Sequence, residues 1–142
     1  MSTPPVLQPV TAAALPSPVG PYSPGVVAGN LVFVSGQAGR DPRSGSLADD
    51  VEAQTEQALR NVAAILEAAG SDLQHVVRCG VFLVDMNEFP RMNAVYARVF
   101  GAHRPARTTV EVSDLPGPGL RVEIDAVAVV KASSAPLRAE QG

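Results

Sequence analysis

The feature that most constrains the fold of this chain is an amphipathic helical pattern between Asp49 and Ala69. Its apolar residues recur at three- and four-residue spacing and share one face of a helix, while the charged residues lie away from that face. Asp49 and Asp50 suit the start of this helix, because their carboxylates can accept hydrogen bonds from its unpaired N–H groups, and Gly70 suits its end. A helix with one apolar face needs a second layer to pack on, and the flanking segments supply strands.

Strand patterns lie on both sides of that helix. Residues 31–35 follow the turn Gly29-Asn30 and begin with four apolar side chains, which predicts a buried strand. Further strands are predicted at 76–84, 107–112 and 122–130. A second helix is predicted to begin with Asn87 as its cap and to end just before Gly101.

The predicted order is strand, strand, helix, strand, helix, strand, strand, and the predicted fold class is α+β: a mixed β-sheet with two helices on one face. Seven of the thirteen prolines fall within the first 24 residues, so that segment is expected to be extended or looped rather than a central strand. We expect an extended N-terminal segment at 1–16, a single domain at 17–131 and a loose tail at 132–142. The second face of the sheet needs cover, and self-association is the natural one.

Composition narrows the functions that the chain can have. With 142 residues, 46% of them apolar and 18% charged, the sequence is that of one ordinary globular domain. A net charge of −3 argues against nucleic-acid binding, and no segment is apolar enough to span a membrane. Cys79 is the one cysteine, and the first residues lack the pattern of a signal peptide, so we expect a cytoplasmic protein.

The sequence gives no support for a cofactor or a metal site. His75 and His103 are far apart and lack metal-ligand spacing with Cys79, which is expected to be a small buried apolar residue. There is no G-x-G-x-x-G pattern and no phosphate loop, so a nucleotide cofactor is not indicated. His103 and Arg104 are expected to cap the exit of the second helix or to help bind an anion.

Arg107 and Glu123 are charged residues within strand patterns. Arg107 lies in the alternating stretch 105–112, where its guanidinium stays charged and its planar fork suits a carboxylate. Glu123 shares one strand face with Asp125, while the alternate positions are all apolar, and such a carboxylate has either a charged partner or a raised pKa. Either residue could instead reach solvent, Arg107 from a strand edge and Glu123 from a strand end.

Three further polar residues are candidates for a site. Asn93 lies within the apolar arc of the second helix, where an amide must find hydrogen-bond partners or destabilise the fold; a border position that reaches water is the alternative. Tyr22 lies in the loop 20–25, whose two prolines hold it in place. Ser35 precedes Gly36 at the end of a strand, where a ligand could approach closely. Ordinary turn chemistry is the alternative for both Tyr22 and Ser35.

Eight short segments, taken in order, resemble the RidA family of reactive-intermediate deaminases, also called the YjgF or L-PSP proteins. They extend from about residue 17 to residue 130, nearly the whole globular part, and eight of them in register are highly specific. The segments are Gly20-Pro21-Tyr22-Ser23, 32–37, Asp41-Pro42 with Gly45, Asn61 with 68–70, 81–86, Asn93 with Tyr96 and Phe100, 104–108, and 122–124.

The resemblance implies a chorismate-mutase-like two-layer fold and a homotrimer with three sites in the clefts between subunits. It also implies hydrolysis of 2-aminoacrylate and related enamines or imines to 2-oxo acids and ammonia, with no cofactor or metal. Pyridoxal-phosphate-dependent dehydratases would supply those intermediates. By the same resemblance Arg107 would hold the substrate carboxylate, and Glu123 would position or activate the attacking water. Tyr22, Ser35 and Asn93 would line the pocket, and the backbone at Thr109 would contact the imine nitrogen.

The chain departs from the commonest family pattern at two places. Thr109 stands where a cysteine is frequent, which matters little if only its backbone is used, and Pro24-Gly25 replaces Gln-Ala, which could reshape the pocket entrance. Imine hydrolysis needs an anion clamp and a water-orienting acid but no strong nucleophile. Two other hypotheses stay open: a non-catalytic trimeric module that binds small carboxylates or a partner protein, and a ribonuclease, against which the acidic balance counts.

Overall fold

The computed structural model of the chain describes residues 6–11, 14–15 and 17–132. Its main elements are β1 (Leu7–Val10), β2 (Gly25–Ala28), β3 (Leu31–Ala38), α1 (Val51–Ala68), β4 (Val76–Leu83), α2 (Phe89–Phe100), β5 (Ala106–Glu111) and β6 (Val122–Val129). The strands form one sheet in the order β1-β2-β3-β6-β4-β5. Paired strands are antiparallel except β4 and β5, which are parallel. The predicted α+β fold, a mixed sheet with two helices, is confirmed.

Helix α1 forms where the sequence predicts it. The carboxylate of Asp50 accepts a hydrogen bond from the N–H of Ala53 (3.2 Å), which caps the first turn. Gly70, beyond the last turn, has a φ of +83°, a conformation that favours glycine. The apolar face of α1 packs on β3, β6 and α2, and the side chains at this contact form the main core. This helix therefore provides most of the second layer of the domain.

The start of α2 differs from the prediction. Asn87 was expected to cap the helix, but it lies in a short 3₁₀ turn (Met86–Glu88), where its N–H donates to the carboxylate of Asp85 (3.0 Å). Glu88 occupies the position before α2 without capping it. The Glu88 carboxylate is buried and instead pairs with the guanidinium of Arg121 at 2.6 Å. The ion pair ties the start of α2 to the residue before β6.

The sheet has one strand more than the sequence predicted. β1 pairs antiparallel with β2 at the edge of the sheet, although β1 contains Pro9. An edge strand tolerates proline because one side of its backbone has no ladder partner to lose. β1 is therefore not a central strand, as expected, but it is part of the sheet. The predicted tail lies, apart from Ala132, outside the described residues.

The two faces of the sheet differ in their cover. Along β6 the even-numbered side chains are buried beneath the helices, whereas the odd-numbered ones are only partly buried. The odd-numbered face carries exposed apolar side chains, with Phe33 46% exposed and Val110 38% exposed. Neither helix of the described chain covers this face, so its predicted cover by self-association stays a prediction. Neither helix is long and apolar enough to cross a membrane.

Candidate functional site

A cavity of about 310 Å³ lies where the loop before β2, the end of β3 and the start of β6 meet. Its lining mixes apolar side chains with a few polar ones. The lining residues that matter below are Tyr22, Pro24, Gly36, Arg40, Asn61 and Glu123. Two of the predicted site residues, Tyr22 and Glu123, therefore share one cavity.

Glu123 is half-buried in this cavity, and its carboxylate has no ion-pair or hydrogen-bond partner among the described residues. Burial, and after it the negative charge of Asp125, raises the pKa of the Glu123 carboxyl above its ordinary value. Asp125 is held in place, because its carboxylate accepts a hydrogen bond from the N–H of Gly80 on β4 (2.8 Å). Of the two environments predicted for Glu123, a charged partner or a raised pKa, the structure has the second. A carboxylate of this kind is a stronger base than an exposed one.

Gly36 makes room for that carboxylate. A Cβ atom at position 36 would lie 2.2 Å from Oε2 of Glu123, so any side chain there would displace the acid. The pairing of β3 with β6 is irregular at this point, between Val34 and Gln37. The glycine was expected to let a ligand approach the strand. In the structure it lets Glu123 approach the backbone of β3.

Ser35 anchors the loop that carries Tyr22. Its hydroxyl donates to the carbonyl oxygen of Ser23 (2.7 Å), and its N–H donates to that of Pro24 (2.9 Å). Tyr22 is 47% exposed at the wall of the cavity. Ser35 lies behind that wall and fixes its position, so a direct contact between Ser35 and a substrate stays a prediction.

Sequence reasoning from the residues alone missed part of this cavity. Nδ2 of Asn61, on α1, donates to the carbonyl oxygens of Ala38 (3.1 Å) and Arg40 (2.9 Å), which fixes the segment that forms one wall. The Arg40 guanidinium is bonded to the carbonyl oxygen of Gly45 (3.0 Å). The available signal was the pair Gln54 and Asn61, two amides seven residues apart on the buried side of α1.

Arg107 lies outside the cavity, on the edge strand β5. It is half-buried, and its guanidinium carbon lies 4.6 Å from the centre of the Tyr96 ring and 5.5 Å from that of the Phe89 ring. Both rings project from α2. Among the described residues the guanidinium makes no hydrogen bond and no ion pair, so its N–H donors are free to bind an anion.

Asn93 and Thr109 lie on the same side of the molecule as Arg107. Phe89, Asn93 and Tyr96 follow one another at four- and three-residue spacing and share one stripe of α2, and both rings of that stripe contact Arg107. Thr109 follows Arg107 by two residues along β5, so their side chains share a face. Because β5 is an edge strand, the outer side of its backbone has no strand partner within the described chain.

A single chain holds the candidate residues in two separate groups. Arg107 lies opposite Cys79 of β4, and Cys79 lies opposite Ala126 on the face that the helices cover. Glu123 lies opposite Phe82 on the other face, and β4 separates its strand from that of Arg107. One group contains Tyr22, Ser35 and Glu123, and the other contains Asn93, Arg107 and Thr109. In the described part of one chain the two groups do not line a common cavity.

Three residues that the sequence places outside the substrate site, Cys79, His103 and Arg104, are buried or hydrogen-bonded within the fold. Cys79 is fully buried, as expected, and burial raises the pKa of its thiol. Nε2 of His103 lies 2.7 Å from the carbonyl oxygen of Val76. Arg104 donates to the carbonyl oxygens of Gly101 and His103, just past the end of α2, so it stabilises the turn after the helix, and its predicted help in binding an anion stays a prediction. The described residues contain no group of three or more His, Cys, Asp or Glu side chains arranged to hold a metal ion.

The chain is similar to known proteins both in sequence and in structure. The family model described as Endoribonuclease L-PSP matches residues 12–130. Over 114 residues the chain is 50% identical to a RutC family protein of Pyrococcus horikoshii, covering 80% of this chain and 90% of that protein. Over 117 residues it is 45% identical to the 2-iminobutanoate/2-iminopropanoate deaminase of Salmonella typhimurium, covering 80% of this chain and 91% of that protein. The crystal structure of E. coli TdcF with bound serine matches with a TM-score of 0.82 at 36% identity, covering 87% of this chain and 99% of that one.

Proposed function

The chain belongs to the endoribonuclease L-PSP family, the RidA family that its sequence resembles, and from that premise we propose that it hydrolyses small 2-imino and 2-enamino acids to 2-oxo acids and ammonia. The observation that carries the proposal is that the chain holds both a guanidinium with free donors, Arg107, and a half-buried carboxylate without a partner among the described residues, Glu123. The deaminase name of one relative and the serine bound to another support a substrate with the size and charge of a small amino acid.

Arg107 is the proposed clamp for the substrate carboxylate. Its fork can donate two parallel hydrogen bonds to a carboxylate, the strongest neutral-pH recognition that a side chain offers to this group. No acid among the described residues occupies the fork, and the rings of Phe89 and Tyr96 shield one side of it from water. Asn93 lies on the same stripe of α2 and is proposed to bind the same substrate. The unpaired edge of β5 at Thr109 is proposed to contact the imine nitrogen through its backbone.

Glu123 is the proposed base for the attacking water. In the reaction, the water oxygen forms a bond to the imine carbon while a proton passes to Glu123, and Glu123 returns that proton to the nitrogen, directly or through water. The C–N bond of the resulting carbinolamine then breaks as its hydroxyl proton passes to the leaving nitrogen, which gives ammonia and the carbonyl group of the 2-oxo acid. An imine next to a carboxylate is already electrophilic, so orientation and proton transfer supply the catalysis that is needed. Tyr22, in the same cavity, is proposed to contact the substrate or this water.

We propose that the complete site forms between subunits of a homotrimer. Arg107 and Glu123 are on different faces of one chain, so both reach one substrate when the edge of one subunit meets the cavity of the next. The exposed apolar face around Phe33 and Val110 is the surface that such an assembly would cover. Closed cyclic symmetry then gives three equal sites, each with Arg107 from one subunit and Glu123 from its neighbour.

The proposed reaction needs neither a metal nor an organic cofactor, because the substrate arrives activated. Dehydratases that use pyridoxal phosphate release 2-aminoacrylate and its homologues, and they are the proposed source of substrate. We place the reaction in the cytoplasm, where a single buried thiol such as Cys79 stays reduced.

A coupled assay tests the proposal. Purified threonine dehydratase generates 2-iminobutanoate, and release of 2-oxobutanoate is followed with and without this protein. We expect the wild type to accelerate release over buffer, and Arg107→Ala to lower kcat/KM about 100- to 1000-fold, because the carboxylate loses its bidentate partner. The control Arg60→Ala removes an exposed arginine of α1 and should leave kcat/KM unchanged.

Two results would contradict the proposal: no acceleration by the wild type, or an unchanged rate for Arg107→Ala. Saturable binding of 2-oxobutanoate in calorimetry, without turnover, would instead identify a non-catalytic binding module.

Ribonuclease activity is supported less well than imine hydrolysis. His75 pairs with Asp72 (2.6 Å) and His103 with the carbonyl oxygen of Val76, so neither histidine is available beside Glu123 for acid–base cleavage of RNA.

A further inference from the structure

We infer that Tyr96 is a positioning residue for Arg107, and that the face of its ring, not its hydroxyl, holds the guanidinium ready for an anionic head group. The inference rests on the proposed role of Arg107 as the carboxylate clamp. It assigns the orientation of that clamp to a residue of α2 that is buried and does not line the Glu123 cavity.

The contact geometry is that of a cation–π interaction. The guanidinium carbon of Arg107 lies 4.6 Å from the centre of the Tyr96 ring, well within the range of about 6 Å over which such contacts are attractive. An acidic partner would also fix the guanidinium, but it would use the N–H donors that a substrate needs. An aromatic face holds the charge while leaving those donors free. The ring therefore fixes the clamp without competing for it.

The hydroxyl of Tyr96 contributes little to this arrangement. Tyr96 is 6% exposed, and no described residue lies within hydrogen-bonding distance and angle of its buried hydroxyl oxygen. Burial, with the Cys79 thiol close by, raises the pKa of the Tyr96 hydroxyl, so the group stays neutral. A neutral hydroxyl that makes no hydrogen bond to the guanidinium adds little to the orientation of Arg107. The useful part of this side chain is therefore its ring.

The ring is also rigid. The Phe100 ring lies behind it on the same helix, with the two centroids 4.7 Å apart, and Phe100 is 1% exposed. Phe89 lies two turns earlier on the same side of α2 and is farther from the guanidinium, at 5.5 Å. Tyr96 is thus the nearer and better supported of the two rings, and its loss should affect Arg107 more than the loss of Phe89.

Substitutions that separate the ring from the hydroxyl test the inference. We expect Tyr96→Phe to keep KM and kcat for 2-iminobutanoate within about twofold of the wild type, because the ring face remains. Tyr96→Leu should raise KM about tenfold with a much smaller change in kcat, the pattern expected when substrate binding is weakened. Tyr96→Met, which fills the site without a ring, should behave like Tyr96→Leu and serves if the leucine variant folds poorly.

The control is Val32→Ala, which removes buried apolar atoms from β3, a strand separated from β5 by β6 and β4. It should lower Tm while leaving KM near the wild-type value. Calorimetry gives a readout that is independent of turnover: Tyr96→Leu should weaken binding of butanoate about tenfold and leave binding of uncharged butanamide unchanged.

Three outcomes would overturn the inference. Equal changes in KM for Tyr96→Leu and Val32→Ala would assign Tyr96 to the core alone. A loss in Tyr96→Phe as large as that in Tyr96→Leu would assign the effect to the hydroxyl. If the wild-type protein does not bind butanoate, Arg107 is not a carboxylate clamp and the inference fails. If butanoate binds but imines are not hydrolysed, the proposed function fails, and the butanoate comparison still decides the role of Tyr96.

Discussion

The two halves of the proposed site are built in different ways. The half around Glu123 is a cavity assembled from distant parts of the chain: a loop, the end of β3, α1 and the start of β6. The half around Arg107 is assembled locally, from one edge strand and one stripe of the helix before it. Glu123 has a complete, partly buried environment within one chain, whereas Arg107 is held at a sheet edge with its N–H donors free.

This difference has a chemical reason. A general base needs a raised pKa, which burial provides, and burial requires walls on several sides. An anion clamp needs unoccupied donors, which a closed environment within one chain would fill with backbone or side-chain acceptors. In the proposed trimer, a clamp at an edge would stay empty until a second copy brings it to the cavity. The comparison therefore predicts that substitutions in the two halves have different effects on activity and stability.

The largest expected effect is the recovery of activity from two inactive variants. Arg107→Ala and Glu123→Gln should each lower kcat/KM by about 100- to 1000-fold. When the two variants are unfolded together and refolded as mixed oligomers, some interfaces join an intact Arg107 to an intact Glu123. For random assembly of equal amounts, about a quarter of the sites should be intact, and activity should recover to about that fraction.

The control is each variant refolded alone, which should stay at its residual rate, with the oligomer mass measured in every sample. A mixture that remains as inactive as its components would mean that both residues act within one chain, and the proposed arrangement between subunits would be wrong.

The next effect is on the stability of the cavity half. Gln54 is fully buried; its Nε2 donates to the carbonyl oxygens of Ala48 (2.7 Å) and Gly119 (2.9 Å), and its Oε1 accepts from the N–H of Arg121 (2.8 Å). Gln54→Leu leaves these three backbone groups unpaired and should lower the free energy of unfolding by about 2–4 kcal/mol. Urea unfolding measures this, with the exposed Gln74→Leu as control. A loss below about 1 kcal/mol would show that the cavity walls do not depend on this amide.

A smaller effect is expected from the glycine beneath the acid. In Gly36→Ala the new methyl group would lie 2.2 Å from Oε2 of Glu123, and the flexible carboxylate should move while the fold is kept. We expect kcat to fall about 10- to 100-fold with little change in Tm. Gly39→Ala is the contrasting variant, because its methyl group would lie 2.4 Å from the backbone oxygen of Gln54, which cannot move cheaply, so Tm should fall. An unchanged kcat in Gly36→Ala would show that the reaction does not depend on the position of the Glu123 carboxylate.

The same contrast decides how much of the site could be predicted from the sequence. Arg107, Asn93 and Thr109 fall on a strand and a helix whose periodicity is visible, so their placement on one side follows from local patterns. Gln54 was missed, because its partners Ala48, Gly119 and Arg121 come from loops whose path no periodicity fixes. The position of Gly36 beneath Glu123 was missed for the same reason, since it depends on a local irregularity in the β3–β6 pairing.

The fold shows the same limit at two places. The helices and the central strands have long patterns and form as predicted, with ends that differ by a few residues. The early prolines disfavour a central strand, but an edge strand such as β1 tolerates them, and composition does not distinguish these two cases. Glu88 and Arg121 are 33 residues apart, so their ion pair, which takes the place of a cap on α2, has no local signal.

The smallest expected effect concerns the charge next to the acid. Asp125 is the second cause of the raised pKa of Glu123, after burial, and Asp125→Asn removes that negative charge. The asparagine oxygen can still accept from the N–H of Gly80, so the strand pairing should persist. A base with a lower pKa loses its proton at lower pH, so the acid limb of the kcat/KM profile should move to lower pH in this variant.

The stability of the protein should respond in the same direction. Because the pKa of Glu123 is raised above its ordinary value of 4.5, the folded protein keeps this proton at a pH where the unfolded chain has lost it. The contribution of Glu123 to stability is therefore present below pH 4.5 and is lost as the pH rises through the folded pKa. In Asp125→Asn that loss should be smaller, which Tm measured below and above this window can test. A limb that stays in place would show that burial alone sets the pKa of the base, and a limb that moves to higher pH would exclude Glu123 as the group that it reports.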